Sequence, residues 1–320
     1  MASDAWGEDV CLFPCQTLSA GQIQLDGEML QGRQIQVDEH VLEIYMAKRS
    51  ADDLDPDDVG LRLWPGTHAM AFILLHLERS GCLKHRTLLD MGCGTGFLGL
   101  LAARAGAKVV LSDRPGRSLE LARLNGSAAG AGEVEVKALA WGSDLVDETE
   151  GAVYDVVLLS EVLYVAQPSC VPWSLDDADL LALAEMTKAK LSAEGHVWVT
   201  YGNRENGGAQ FAAAAAAAGL AVEERRLEEF VPAELLQSRA ASALRRVKVF
   251  HLQHAGVAVE DGYLIEQFDY FSTLVADYEY AERLCFNRTR RRNRVLVSQE
   301  RAGRVHGDFT AECDNFQEPG

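Results

Sequence analysis

Within ten residues the chain sets one carboxylate, one thiol and four glycines: Asp90-Met91-Gly92-Cys93-Gly94-Thr95-Gly96-Phe97-Leu98-Gly99. The apolar run from Thr87 closes on Asp90, a glycine-spaced turn follows, and Phe97 to Arg104 carry apolar residues at helical spacing. That order reads strand, tight loop, helix, the arrangement that cradles a nucleotide-like cofactor. Glycine is required there because the turn needs backbone angles closed to other residues and because a side chain would hold the main chain off the ligand. The spacing by itself fits two cofactors. Gly94, Gly96 and Gly99 satisfy the G-x-G-x-x-G of dinucleotide binders, whereas Gly92, Gly94 and Gly96 behind Asp90 satisfy the D-x-G-x-G-x-G of S-adenosylmethionine binders.

Further groups with chemical capacity fall at the ends of other apolar runs. Lys108 to Ser112 ends on Asp113, where a carboxylate can accept both ribose hydroxyls of an adenosine, as an acid in that place also does in NAD enzymes. Trp141 follows the alternating run Glu133 to Leu139 and is suited either to an adenine face or to an ordinary core. The run Tyr154 to Leu159 delivers Ser160 and Glu161, with Tyr164 three residues on. An acid and a phenol so spaced can meet a second substrate; the plainer alternative is a capping acid and a packed ring.

Those groups need a scaffold that gathers strand ends. Trp64-Pro65 leads into a helix over Gly66 to Leu77, because proline forces an extended residue before it. After Thr87 strand and helix alternate: helices over Ser118 to Ala129, Leu175 to Leu191 and through Ala212 to Ala218, and later strands over His196 to Tyr201, Leu220 to Arg225 and Arg246 to Gln253. This predicts an α/β, doubly wound, mostly parallel Rossmann-like sheet, whose ligands bind at the carboxyl ends of the strands. Residues 61–254 form the expected cofactor-binding domain. Residues 1–60, with 13 acidic and 3 basic residues, form an acidic N-terminal extension. In it Gln22 to Leu25 and Gln34 to Val37 predict a hairpin or two short strands around Gly27 and Gly32, and Ala51 to Asp58 reads as a solvated loop. Residues 255–320 form a C-terminal extension of unknown role, with a helical pattern over Tyr263 to Leu284 and a basic run at Arg288 to Arg294.

Composition excludes several classes. With 48% hydrophobic and 24% charged residues the chain is not wholly disordered. No run of 18 apolar residues occurs and Met1 to Val10 carries no base, so neither a membrane span nor a secretory signal is expected. Seven cysteines without a Cys-x-x-Cys pair argue for reduced thiols and for no metal. A net charge of −18 repels nucleic acid. The expectation is an intracellular, cytoplasmic protein. Arg288 to Arg294 is a candidate nuclear address or nucleic-acid contact, with a solvated, carboxylate-paired face the favoured alternative.

Trp64-Pro65, the block from Asp90 to Asp113, Ala140-Trp141, Ser160-Glu161-Val162-Leu163-Tyr164 and Tyr201-Gly202-Asn203-Arg204 together resemble the seven-β-strand protein lysine methyltransferases, over about residues 61–254. The resemblance implies a seven-stranded methyltransferase sheet, S-adenosyl-L-methionine as cofactor and a protein substrate. It implies that Trp64, Asp90, Gly92, Cys93, Gly94, Gly96, Asp113, Trp141 and Ser160 hold the cofactor, while Glu161 and Tyr164 face the acceptor. The family's usual motif is Asp-x-x-Tyr, and Glu161 departs from it. Some relatives modify arginine or histidine, so protein methylation is implied more firmly than lysine. A nucleotide-dependent oxidoreductase, a silent binding module and a small-molecule methyltransferase are the competing readings.

Overall fold

A computed structural model describes residues 12–48, 56–128, 134–142, 146–163, 177–202, 207–238 and 240–257. The expected helix over Tyr263 to Leu284 and the basic run at Arg288 to Arg294 lie outside them.

The chain opens with a three-stranded antiparallel meander: β1 (Cys15–Leu25), β2 (Glu28–Val37) and β3 (His40–Ala47). Asp26 and Gly27, with φ of 46° and 88°, make the two-residue turn that lets Leu25 pair with Glu28. The expected hairpin is thus three longer strands. Gly32 is no turn but an interior position of β2, where a β-carbon would stand 3.1 Å from the Gly21 carbonyl oxygen. Close approach of two backbones is what calls for glycine there. The meander's inner face, with Ile35, Val37, Leu42 and Ile44, joins the main core, and Phe13 packs 5.2 Å from Phe72 and 6.5 Å from Phe97.

A 3-10 turn, Pro56–Leu61, leads to α1 (Pro65–Arg79). The reading of Ala51 to Asp58 as solvated fails at its end, because Asp58 is fully buried and ion-paired with Arg117. Composition suggested water, whereas the fold buries the acid and brings a cation from α3 to it. α1 has Trp64 as its extended N-cap and Pro65 in its first turn, and it buries Met70, Ile73, Leu74 and Leu77.

Then follow β4 (Thr87–Met91), α2 (Phe97–Arg104), β5 (Lys108–Asp113), α3 (Arg117–Ala128), β6 (Val134–Ala140), β7 (Val146–Asp147), β8 (Tyr154–Ser160), α4 (Asp177–Lys190), β9 (Leu191–Gly202), α5 (Gly207–Ala217), β10 (Leu220–Arg225), α6 (Ala233–Gln237) and β11 (Val247–His254). The sheet order is β10-β11-β9-β8-β4-β5-β6-β7. β9, β8, β4, β5 and β6 run parallel, and β11 runs antiparallel between β9 and β10. The described sheet therefore has eight strands, not seven. The addition is β7, a two-residue strand antiparallel to β6, too short to leave a period in the sequence.

Side chains alternate across the sheet. Val156, Leu158 and Trp198 face α1, α2 and the meander, whereas Val157, Leu159, Val197 and Val199 face α4 and α5. Strands covered on both faces must be apolar throughout, which is why they read as continuous runs. No described helix is long and apolar enough to cross a membrane.

Candidate functional site

The carboxyl ends of β4, β5, β6 and β8 bring together the glycine loop, Asp113, Trp141 and Ser160-Glu161. The chain reverses between β4 and α2 through Gly92, Gly94 and Gly96, with φ of 74°, 53° and 77°. Left-handed angles at alternate residues cost other residue types energy, which accounts for this spacing. The N–H groups of Gly92 and Cys93 both donate to the Ser112 carbonyl at 2.9 Å, and Gly96 N–H donates to Cys93 at 2.8 Å. The loop is folded onto the end of β5.

Two acids support it differently. Asp90 lies beneath the loop, buried, and its carboxylate accepts the Gly99 N–H in the first turn of α2 at 3.0 Å. Burial pushes its pKa up to about 7, with the Gly99 bond opposing. Its role here is to hold the loop against α2. Asp113 stands at the cleft, only partly buried, with one oxygen accepting Gly94 N–H at 2.8 Å and the other Arg114 N–H at 2.9 Å. Burial raises its pKa also, against those two bonds. The pKa of the Cys93 thiol is pushed up by burial and then by Asp113 and Asp90.

The Trp141 ring reaches the loop, its Cη2 3.7 Å from where a Gly92 β-carbon would sit. Trp64 donates from Nε1 to the Val59 carbonyl at 2.8 Å, tying its ring to the 3-10 turn. The Ser160 hydroxyl lies 3.3 Å from Thr200 Oγ1, which donates to the Gly66 carbonyl at 2.9 Å.

Glu161 is placed otherwise than a free acceptor-facing base. It is buried with φ of 57°, a conformation that costs a non-glycine residue on the order of 1–3 kcal/mol and gathers at functional sites. Its Oε1 accepts Gly66 N–H at 2.7 Å and its Oε2 accepts Gly202 N–H at 3.1 Å. Gly66 belongs to the first turn of α1, whose N-cap Trp64 gives no side-chain acceptor. Glu161 thus caps that helix from 95 residues away and joins it to β8 and β9. Tyr164 lies outside the described residues.

Sequence reasoning missed Asn125, wholly buried on α3. Its amide accepts Tyr45 N–H at 2.7 Å and donates to the carbonyls of Tyr45 at 3.0 Å and Thr95 at 2.8 Å. It joins the meander to the glycine loop, and no local spacing announces a contact 80 residues long. At the opposite end of α1, ligand atoms of Glu39, His40 and Glu78 lie within 4.8 Å of one another. His40 bonds Glu78 at 2.9 Å, which raises the imidazole pKa. The cluster stands beyond the cleft, at the end of α1 far from the glycine loop.

The sequence model of a family described as lysine methyltransferase matches residues 47–216, more than half of the chain. Curated relatives match shorter stretches, among them the following three. A ubiquinone biosynthesis O-methyltransferase of Bordetella avium is 40% identical over 95 residues, which is 29% of this chain and 38% of that protein. A protein N-lysine methyltransferase of Xenopus tropicalis is 31% identical over 104 residues, 31% of this chain and 46% of that one. A histone-arginine methyltransferase of Mus musculus is 33% identical over 107 residues, 33% of this chain and 42% of that one. The matched stretch is less than half the length of each of these relatives.

Proposed function

Since this chain belongs to the lysine methyltransferase family, we propose that it is an S-adenosylmethionine-dependent methyltransferase acting on a protein side chain, with a lysine ε-amine as the first candidate. The observation that carries the reading is the Gly94–Asp113 pair, a positive-φ glycine whose N–H meets the strand-end carboxylate at 2.8 Å. The donor set suits the cofactor: a carboxylate for two ribose hydroxyls, a tryptophan beside the loop for the adenine face, and no demand for a 2′-phosphate partner. When bound, S-adenosylmethionine supplies a methyl carbon made electrophilic by its sulfonium.

The chain's own contribution is positioning. Asp113 and the loop fix the donor, while Glu161 fixes the junction of α1, β8 and β9 that walls the acceptor side. An attacking amine must be neutral and in line, so holding it near the methyl carbon supplies most of the rate. A lysine in a poorly solvated cleft beside a cation loses its proton more readily. Tyr164 is the candidate for a hydrogen bond or π-face toward that amine.

Incubation of the protein with isotopically labelled S-adenosylmethionine and cell extract tests this. A labelled protein band, with the methyl group mapped to lysine by mass spectrometry, is the expected outcome. Label on arginine or histidine moves the target within the same reading. The 40% identity to an O-methyltransferase favours a second reading, a small-molecule acceptor, whose sign is label confined to the low-molecular-weight fraction.

A further inference from the structure

Three contacts tie the 3-10 turn Pro56–Leu61 to the cofactor loop and its surroundings. Oδ1 of Asp58, fully buried, lies 3.0 Å from Nε of Arg117, the first residue of α3. The Val59 carbonyl accepts Trp64 Nε1–H at 2.8 Å. Gly60 is wedged between loop and helix. A β-carbon on Gly94 would stand 2.5 Å from the Gly60 carbonyl oxygen, and one on Gly60 would run into the Ser118 hydroxyl. Arg117 follows Asp113 by four residues, so the ion pair joins the turn to the segment that presents the ribose-binding carboxylate.

A carboxylate taken wholly out of water is costly unless a cation meets it, and replacing such a pair by apolar groups is often neutral for stability. Stability alone therefore gives little reason for an acid in this buried place. Geometry gives a better one. The Gly60 carbonyl lies against the residue whose N–H the Asp113 carboxylate holds, where a β-carbon would have no room, so anchoring the turn limits how far Gly94 can move from Asp113.

We propose that Asp58 and Arg117 are positioning residues for the cofactor site: their ion pair clamps the turn onto Gly94, and the clamp holds Gly94 and Asp113 in the binding arrangement. The inference rests on the cofactor reading above. Isothermal titration of the full chain with S-adenosylhomocysteine tests it, using wild type, D58N, R117Q and the D58N/R117Q double variant. Asp38–Arg79, an ion pair of 2.9 Å at the other end of α1, is the control, through D38N. D58N is expected to weaken binding about tenfold or more, since small displacements of a positioned group carry large penalties. The double variant is expected to bind no more weakly than the worse single one, because the two groups act as a pair. D38N is expected to lower the melting temperature and leave affinity unchanged. If D58N fails to fold, R117K serves, keeping the charge but losing the Nε contact, with binding expected to weaken severalfold. Affinity of D58N within about twofold of wild type, or losses that multiply in the double variant, would overturn the clamp and leave the cofactor reading intact. A wild-type chain that binds no S-adenosylhomocysteine overturns both.

Discussion

Glu161→Gln separates a bracing carboxylate from a purely chemical one. In the native chain both oxygens accept backbone N–H groups, Gly66 at 2.7 Å and Gly202 at 3.1 Å, in a buried setting. The amide keeps one acceptor and turns an NH2 toward the other donor, so one N–H loses its bond and meets a second donor. An unsatisfied buried donor costs about 1–3 kcal/mol, and loss of the charge weakens the remaining bond, so about 3 kcal/mol is expected in all. The charge also leaves the N-terminus of α1, where the helix dipole favours it. For a chain of this size, with an unfolding entropy of about 2.1 cal/mol/K per residue, that corresponds to a fall in melting temperature of roughly 4–6 °C. The assay is thermal unfolding followed by circular dichroism without cofactor, beside single-turnover methylation of the identified substrate. Turnover should fall by roughly 100-fold as the wall of the cleft loosens. Glu161→Asp should share both losses, because a side chain shorter by one methylene, about 1.5 Å, cannot span both donors. A Glu161→Gln variant that melts within about 1 °C of wild type yet loses turnover would refute the brace and return the carboxylate to the acceptor.

Asp113→Ala is expected to weaken cofactor binding by about 2–3 kcal/mol through loss of charge-assisted bonds, and an unchanged dissociation constant by calorimetry would reduce Asp113 to a strand-ending acid. Gly94→Val should abolish cofactor binding and also lower the melting temperature, because its β-carbon meets the Gly60 carbonyl at 2.5 Å and its φ is 53°; a variant with native stability and native affinity would refute both effects. Acid should destabilise the protein through buried imidazoles. Burial lowers the pKa of His68 and of His196 to about 4 and that of His251 to about 3, so the unfolded chain takes up protons first. Stability is present above pH 6.5 and declines as pH falls toward 4, by about 3 kcal/mol for His68 alone. Asp90, with its pKa raised to about 7, works the other way, its ionisation costing stability as pH rises from 3.8 to 7. Melting temperatures between pH 8 and 4 check the balance, and a flat profile below pH 6.5 would refute the histidine assignment.

What the sequence determined by itself was what repeats locally. β4, β5, β8, β10 and β11 lie within one residue of the runs that announced them, as α3 does. The central strands β4, β5 and β8 read as apolar runs because the sheet covers them on both faces, the edge strand β10 is announced instead by the glycine stop before it, and helix faces repeat every few residues. The alternation implied a parallel sheet, and the sheet implied that Asp90, Gly92, Gly94, Gly96, Asp113, Trp141 and Ser160 meet at one end, as they do. Tertiary structure alone decided what distant partners do to a residue. Asp58, in a run composed like a solvated loop, is buried with Arg117 beside it. Glu161, patterned like a free acid after a strand, is held by Gly66 and Gly202 because α1 and β9 converge on it. Gly94 must be glycine partly because Gly60, 34 residues earlier, lies against it. Each depends on which backbone donor, carbonyl or cation the fold brings within about 3 Å, and hydrogen bonds and ion pairs of that reach carry no period along the chain.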